Sequence, residues 1–275
     1  GVIAHVPADR VAVLHGPLTD ADCAYARATG VRPVLNSLQQ VTRWQASGGG
    51  ACDVMIDTGI NRLGLGMDAI GDPALSGLEV ETLMSHLSSA DEDSAANARQ
   101  LTRFAEACAI IPSRSRSLAN SAGIALGAEY AFDVTRPGIA LYGGVPRSEF
   151  ADLIRQVVRP KAAIMQVREL AAGDGVGYNA TFVAPRAMRV GVVSLGYADG
   201  FLRSRGPGNA LLHDGVRLPI LGRVSMDMVV IDLSEAGPLA EGDWVDVPFD
   251  LPTEAEKSGL SQYELLTTLG LRLRG

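Results

Sequence analysis

The stretch VRPVLNSLQQVTRWQ, Val31 to Gln45, decides the fold. Val31 to Leu35 is an apolar run of strand length. Ser37-Leu38-Gln39-Gln40 then has the Ser-x-x-Gln form of a capping box, and an amphipathic helix follows. A strand, a short polar loop and a helix make one βα unit.

The same unit recurs on both sides. Val11 to Leu14, Val31 to Leu35, Asp53 to Ile56, Leu78 to Met84, Ser117 to Ala119 and Phe132 to Val134 are the strand candidates. Gly30 closes a helix that starts near Thr19. Between Asp93 and Ile111 the spacing of Ala98, Leu101, Ala105 and Cys108 predicts a helix buried along that face. An open doubly wound sheet needs a glycine-rich phosphate loop after its first strand, and Leu14-His15-Gly16-Pro17 does not supply one. A parallel barrel is the better expectation. Eight strands close such a barrel, and two more βα units of ~30 residues each would complete it, so the chain is expected to begin at the third unit.

From about residue 156 the pattern changes to period-two strands at Ala163 to Val167, Arg189 to Ser194, Leu218 to Leu221 and Met228 to Ile231. Turns such as Asp199-Gly200 and Asp214-Gly215 separate them. The expected fold is therefore α/β plus all-β: residues 1–155 as an incomplete parallel (β/α)8 barrel without its first two units, and 156–275 as a C-terminal β domain. The capping box Ser261-Gln262-Tyr263-Glu264 introduces a last helix that runs to Gly270.

Composition excludes some functions. Of 275 residues 47% are hydrophobic, enough for a sizeable core, and 24 Lys and Arg against 31 Asp and Glu give a net charge of -7, which offers no field for a phosphate backbone. No nucleic-acid partner is expected. Cys23, Cys52 and Cys108 are odd in number and far apart, which suits reduced thiols, and no apolar run approaches the ~18 residues of a membrane span. A cytoplasmic protein without a membrane or metal is expected.

Loops after barrel strands form the active face. Four are suggestive. DTGINRLG, Asp57 to Gly64, places Arg62 after a tight glycine turn, suited to an anion or phenolate. SHLSSAD, Ser85 to Asp91, places His86 at a strand end, where it can orient a neighbour or relay a proton. LANSAG, Leu118 to Gly123, puts Asn120 and Ser121 at a helix start that can receive a phosphate. TRPGIALYGG, Thr135 to Gly144, sets Arg136 before Pro137 and a bare backbone at Gly138. Taken singly, the first three are explained as well by a surface arginine, a structural histidine and an ordinary helix cap.

In this order the four motifs resemble the alanine racemases, pyridoxal-phosphate (PLP) enzymes with a barrel and a β domain. GVGY (Gly175 to Tyr178), SLGYADG (Ser194 to Gly200), GRVSMD (Gly222 to Asp227) and YELLTTLGLRLR (Tyr263 to Arg274) extend the likeness over nearly the whole chain. The resemblance implies that Arg136 faces the pyridine nitrogen of PLP. Asn120, Ser121, the backbone of Gly138 and Ile139, and Tyr263 then surround its phosphate and ring. Arg62 is implied near the cofactor's phenolic oxygen and the substrate carboxylate. His86 is implied between Arg136 and the catalytic Tyr197, which with Met226 enters from the second subunit of a homodimer. The implied reaction interconverts L-alanine and D-alanine with two bases, a lysine and a tyrosine, supplying D-alanine for peptidoglycan. An ordinary tyrosine titrates near about 10, so its cationic neighbours must make it a usable base.

The sequence departs from the family in two places. Its only lysines, Lys161 and Lys257, match no PLP-lysine motif, and Lys257 reads as part of a polar loop, so this chain alone is expected to be inactive. Met55 stands where many relatives carry a carbamylated lysine that braces the arginine, and Asn61 is the candidate to hold Arg62 instead. Three alternatives stay open: a non-catalytic PLP-binding homologue, a racemase of another small amino acid such as serine, and a metal-dependent barrel hydrolase, for which four scattered histidines are a poor ligand supply.

Overall fold

The computed structural model describes residues 2–270 and Leu273. Leu271, Arg272 and Arg274 of the terminal motif lie outside the described residues. The chain divides into two compact units: residues up to Gly138 with Pro146–Phe150, and Ile139–Val145 with the chain from Ala151 onward.

In the first unit β1 (Ala12–Val13), α1 (Asp20–Thr29), β2 (Arg32–Leu35), α2 (Leu38–Ala46), β3 (Ala51–Ile56), β4 (Glu79–Ser85), α3 (Ala95–Ile110), β5 (Ser115–Ser117) and the single turn α4 (Ala128–Ala131) follow one another. The five strands form one parallel sheet in sequential order, β1 to β5. Thr19 and Asp22 cap α1 reciprocally, and Gly30 ends it in the left-handed region with φ 82°. Alternation sorts the strand side chains between two faces. Leu35, Val54, Ile56 and Leu83 join Cys23, Trp44, Phe104 and Ala107 of the helices in the main core. Val34, Met55 and Met84 cluster separately.

Several expectations need correction. The sixth strand, Phe132 to Val134, is absent because Phe132 has φ 49°, outside the extended region, and the N–H groups of Asp133 and Val134 both donate to the Arg116 carbonyl. A single parallel bridge between Asn120 and Arg136 follows it. Among the described residues the sheet thus has five parallel strands. In α2, Ser37 caps Gln40 N–H, but the Gln40 side chain does not return to Ser37: it accepts from Asn36 N–H at 2.8 Å and donates to the His15 carbonyl at 3.0 Å. The buried face of α3 is Asn97, Gln100, Phe104 and Ala107, while Ala98 and Ala105 are exposed.

The second unit contains β6 (Lys161–Leu170), β7 (Gly175–Val176), β8 (Phe182–Val183), β9 (Met188–Val193), β10 (Ala210–His213), β11 (Val216–Leu221), β12 (Val229–Asp232), β13 (Trp244–Asp246), α5 (Leu251–Ser258) and α6 (Gln262–Thr267). Strands β10, β11, β12, β9, β6 and β13 close into a small barrel filled by Ile164, Val193, Leu211, Leu218, Ile231 and Val245. The hairpin between β10 and β11 turns on Asp214 (φ 48°) and Gly215 (φ 81°), the two positive φ values of a type I′ turn. Lys257 sits in α5 rather than in a loop.

Candidate active site

The loops at the carboxyl ends of the parallel strands carry the first unit's candidate residues. After β3, the Asp57 carboxylate gathers the turn around itself: one oxygen accepts from the N–H groups of Gly59, Ile60 and Asn61, and the other from Arg62 N–H at 3.0 Å. Asn61 adopts the left-handed conformation, which asparagine tolerates better than most residues. Its side chain makes no hydrogen bond among the described residues, so it does not brace Arg62. The Arg62 side chain is exposed.

After β4, the chain passes Ser85, fully buried, into His86. Burial first, then the positive charges of Arg136 and Arg62, pull the His86 imidazole down to about 4. It is neutral at pH 7. Arg136 comes from the segment that bridges to Asn120, its N–H donating to the Ala119 carbonyl at 2.8 Å. Its guanidinium donates to Ser117 Oγ and to the Ser85 carbonyl, both at 2.5 Å, and to the Leu118 carbonyl at 3.4 Å. Every one of these partners is neutral. Among the described residues no carboxylate pairs with Arg136, and burial lowers it to about 10. Arg136 is half-buried, and a cation so placed without a counter-anion is costly; such groups concentrate where a ligand supplies the missing electron density.

Asn120 Oδ1 accepts from Gly123 N–H at 2.8 Å, and Ser121, 1% exposed, accepts from Gly138 N–H at 2.8 Å. A Cβ at Gly138 would meet nothing within 4 Å, so open space lies against that backbone. Arg62, His86, Asn120, Ser121, Arg136 and Gly138 all lie on strand-end loops of the first unit.

The second unit carries Ile139, Tyr197, Met226 and Tyr263. Tyr197 N–H donates to the Ser225 carbonyl at 3.1 Å and Ala198 N–H to that of Met226 at 2.9 Å, which stitches SLGYADG to GRVSMD. A Cβ at Gly196 would lie 2.2 Å from the Met226 carbonyl oxygen, so only glycine allows the two loops this close. The Arg203 guanidinium stands 5.3 Å over the Tyr197 ring. Tyr263 occupies the first turn of α6 and is 53% exposed. Its neighbour Gln262 clasps Val145 through both backbone groups, each at 2.8 Å.

Sequence reasoning missed a polar stripe on α3. Asn97 donates to the carbonyls of Ser89 (3.0 Å) and Glu92 (3.1 Å), and Arg103 to that of Thr58 (3.1 Å). Between them Gln100 Nε2 donates to Thr58 Oγ1 (3.1 Å) and the His86 carbonyl (3.0 Å), and Oε1 accepts from Ser88 N–H (2.8 Å) and Ser88 Oγ (3.0 Å). The only signal in the sequence is three polar residues at intervals of three.

The fold and these loops define a two-part enzyme with an α/β unit followed by a β-barrel unit. The N-terminal domain model of alanine racemase matches residues 2–146 and the C-terminal domain model 157–275. The chain belongs to the alanine racemase family. It is similar to an alanine racemase of Methylobacterium nodulans, 41% identical over 280 residues, 94% of this chain and 74% of that one. A catabolic alanine racemase of Agrobacterium fabrum is 40% identical over 283 residues, 96% and 72% of the respective chains. The crystal structure of Bartonella henselae alanine racemase with covalently bound pyridoxal phosphate superposes with a TM-score of 0.86 at 31% identity, covering 98% of this chain and 80% of that one. The homologues are isomerases by name. No helix among the described residues is long and apolar enough to cross a membrane, and no three His, Cys, Asp or Glu side chains group to hold a metal.

Proposed function

We propose that the chain provides the PLP-binding and tyrosine-bearing parts of an alanine racemase that interconverts L-alanine and D-alanine. The observation that carries this is the half-buried Arg136, whose guanidinium meets only neutral oxygens and donates to the carbonyl of Ser85, next to His86. In the first unit the donor set would fit PLP: Asn120 and Ser121, beside the open backbone at Gly138, would suit a phosphate and Arg136 the ring nitrogen, while Ile139 and Tyr263 follow by family likeness alone. When bound, PLP withdraws electrons from the substrate Cα and so acidifies its proton.

Arg136 can donate but not accept, so the partner it holds keeps a lone pair and is not protonated. That limits electron withdrawal and favours proton exchange at Cα over transamination. Arg62 has a guanidinium suited to the substrate carboxylate. The phenol oxygen of Tyr197 takes or gives the Cα proton on one face, Arg203 holding its ring from above. By family likeness Tyr197 and Met226 serve the second subunit of a homodimer. D-Alanine supply for peptidoglycan in the cytoplasm is the role attached to this reaction.

The opposite face needs a second base. Lys161 pairs with Asp246 at 3.2 Å and Lys257 with Glu254 at 3.1 Å, both in the second unit, and neither suits that role. We therefore assign the second base to polypeptide outside these 275 residues, two further βα units included. The same observation supports a non-catalytic PLP-binding homologue as the second reading.

Incubation with PLP, borohydride reduction and peptide mapping test the assignment. PLP should bind without labelling Lys161 or Lys257, and the chain should racemise alanine once joined to the first two βα units of a related racemase. Labelling of Lys161 together with D-alanine formation by the chain alone would overturn it, and a joined chain without turnover would leave the non-catalytic reading.

A further inference from the structure

We propose that Gln100 is a positioning residue that fixes the Thr58 turn, which leads to Arg62, against the Ser85–Ser88 strand end, which carries His86 and the carbonyl that receives Arg136.

Its amide makes four hydrogen bonds, two as donor and two as acceptor, which exhausts its capacity. Rotating the amide by half a turn would set its NH2 against the donor Ser88 N–H and its oxygen against the His86 carbonyl. Only one orientation therefore satisfies the site. Gln100 is 3% exposed and Thr58 fully buried, so their mutual bond has no water to replace it, whereas Ser88 lies at the surface.

The clamp reaches the guanidinium through a short chain of contacts. Thr58 Oγ1, which receives Gln100, also lies 2.8 Å from Ser85 Oγ, and the Ser85 carbonyl accepts from Arg136. Helix α3 gives the clamp a rigid base: Phe104 and Ala107, fully buried, fix the next turns, and Arg103 holds the Thr58 carbonyl from the same helix. Two loops separated by 27 residues at Thr58 and Ser85 thus take their spacing from one side chain of a third element. A leucine would fill similar volume and leave the buried Thr58 Oγ1 and the His86 carbonyl without this donor, which is why an amide occupies a core position.

The effect on PLP rests on the racemase reading, whereas the effect on His86 rests on the hydrogen bonds of Gln100 and on the burial and cations around the imidazole. The test is NMR titration of the four histidines in the parent and in Gln100→Leu, with His86 assigned by His86→Asn, beside PLP binding followed by absorbance. With the clamp lost, water enters and the cations recede. His86 should titrate at least about one pH unit higher in folded Gln100→Leu, and PLP should bind about tenfold more weakly. Gln100→Glu keeps the acceptor for Ser88 N–H and should fall between. An unchanged His86 titration in folded Gln100→Leu would reduce Gln100 to packing. Should that variant not fold, Thr58→Val removes the Nε2 acceptor at constant shape, and an unshifted His86 there overturns the proposal equally. A parent chain that does not bind PLP counts against the racemase reading and leaves the His86 measurement intact.

Discussion

The Arg136 guanidinium donates to the Ser85 carbonyl at 2.5 Å, one residue before His86, so the site's half-buried cation and its imidazole are joined through backbone. This contact ties the segment after the last parallel bridge to the end of β4. It also makes Arg136 a liability for stability, because three neutral oxygens stand where a carboxylate would compensate the half-buried charge.

The first prediction follows from that liability. Burial lowers Arg136 from the ordinary guanidinium range to about 10, which penalises the charged form and offsets its hydrogen bonds. Arg136→Met should therefore unfold no earlier than the parent in a thermal scan, while PLP affinity falls by at least about a hundredfold. A large drop in melting temperature with affinity retained would show that the guanidinium serves the fold instead.

The second concerns pH. His86 is pulled from 6.5 to about 4 on folding, so the unfolded chain takes up the proton first. Its contribution to stability is complete above about pH 6.5 and is lost as pH falls towards 4, by at most about 3 kcal/mol. Urea midpoints of the parent should decline through this window more steeply than those of His86→Asn. Parallel curves would mean that His86 titrates alike in both states.

Much of the site was legible because its loops are built from residues whose local chemistry is fixed. The glycine turn of DTGINRLG and the bare backbone at Gly138 could be read locally, whereas Asn61, expected to hold Arg62, takes the left-handed conformation and leaves the turn to Asp57. The strand after α4 was misjudged because a β-rich run at Phe132 to Val134 says nothing of a left-handed residue within it. The face of α3 was misjudged for a different reason. Asn97 and Gln100 are buried by the backbone groups of loops distant in sequence, and apolar periodicity carries no trace of those partners. Likewise nothing local in the sequence marks Arg205 and Glu254 as buried; only tertiary contact pairs them.

The third prediction isolates backbone strain in the Arg62 loop. Gly64 has φ 133°, and a Cβ there would stand 2.7 Å from Asp57 N and 2.9 Å from Ile56 C, backbone atoms that cannot swing aside. Gly64→Ala should cost more than about 1 kcal/mol and open the loop to limited proteolysis. Gly71, with nothing within 4 Å of a Cβ, is the control, and its alanine variant should behave like the parent. Equal effects at the two glycines would refute the argument from close approach.

The fourth concerns the second unit's buried ion pair. Arg205, 2% exposed, donates to Glu254 Oε2 at 3.1 Å and to the Pro248 carbonyl at 2.7 Å, with the rings of Phe201 and Phe249 at 4.7 and 5.4 Å. Losing one member of such a pair strands the other charge, ordinarily at ~3–5 kcal/mol, whereas replacing both with apolar residues is often near neutral. Lys257 softens one side, because its ammonium stays 3.1 Å from the remaining Glu254 oxygen. Arg205→Met should therefore cost about 2–3 kcal/mol, below the usual range. Arg205→Met combined with Glu254→Leu should be more stable than Arg205→Met alone, with a coupling of at least about 1 kcal/mol in urea unfolding. Additive losses would show that packing against the two phenylalanine rings, rather than the ion pair, is what the arginine contributes.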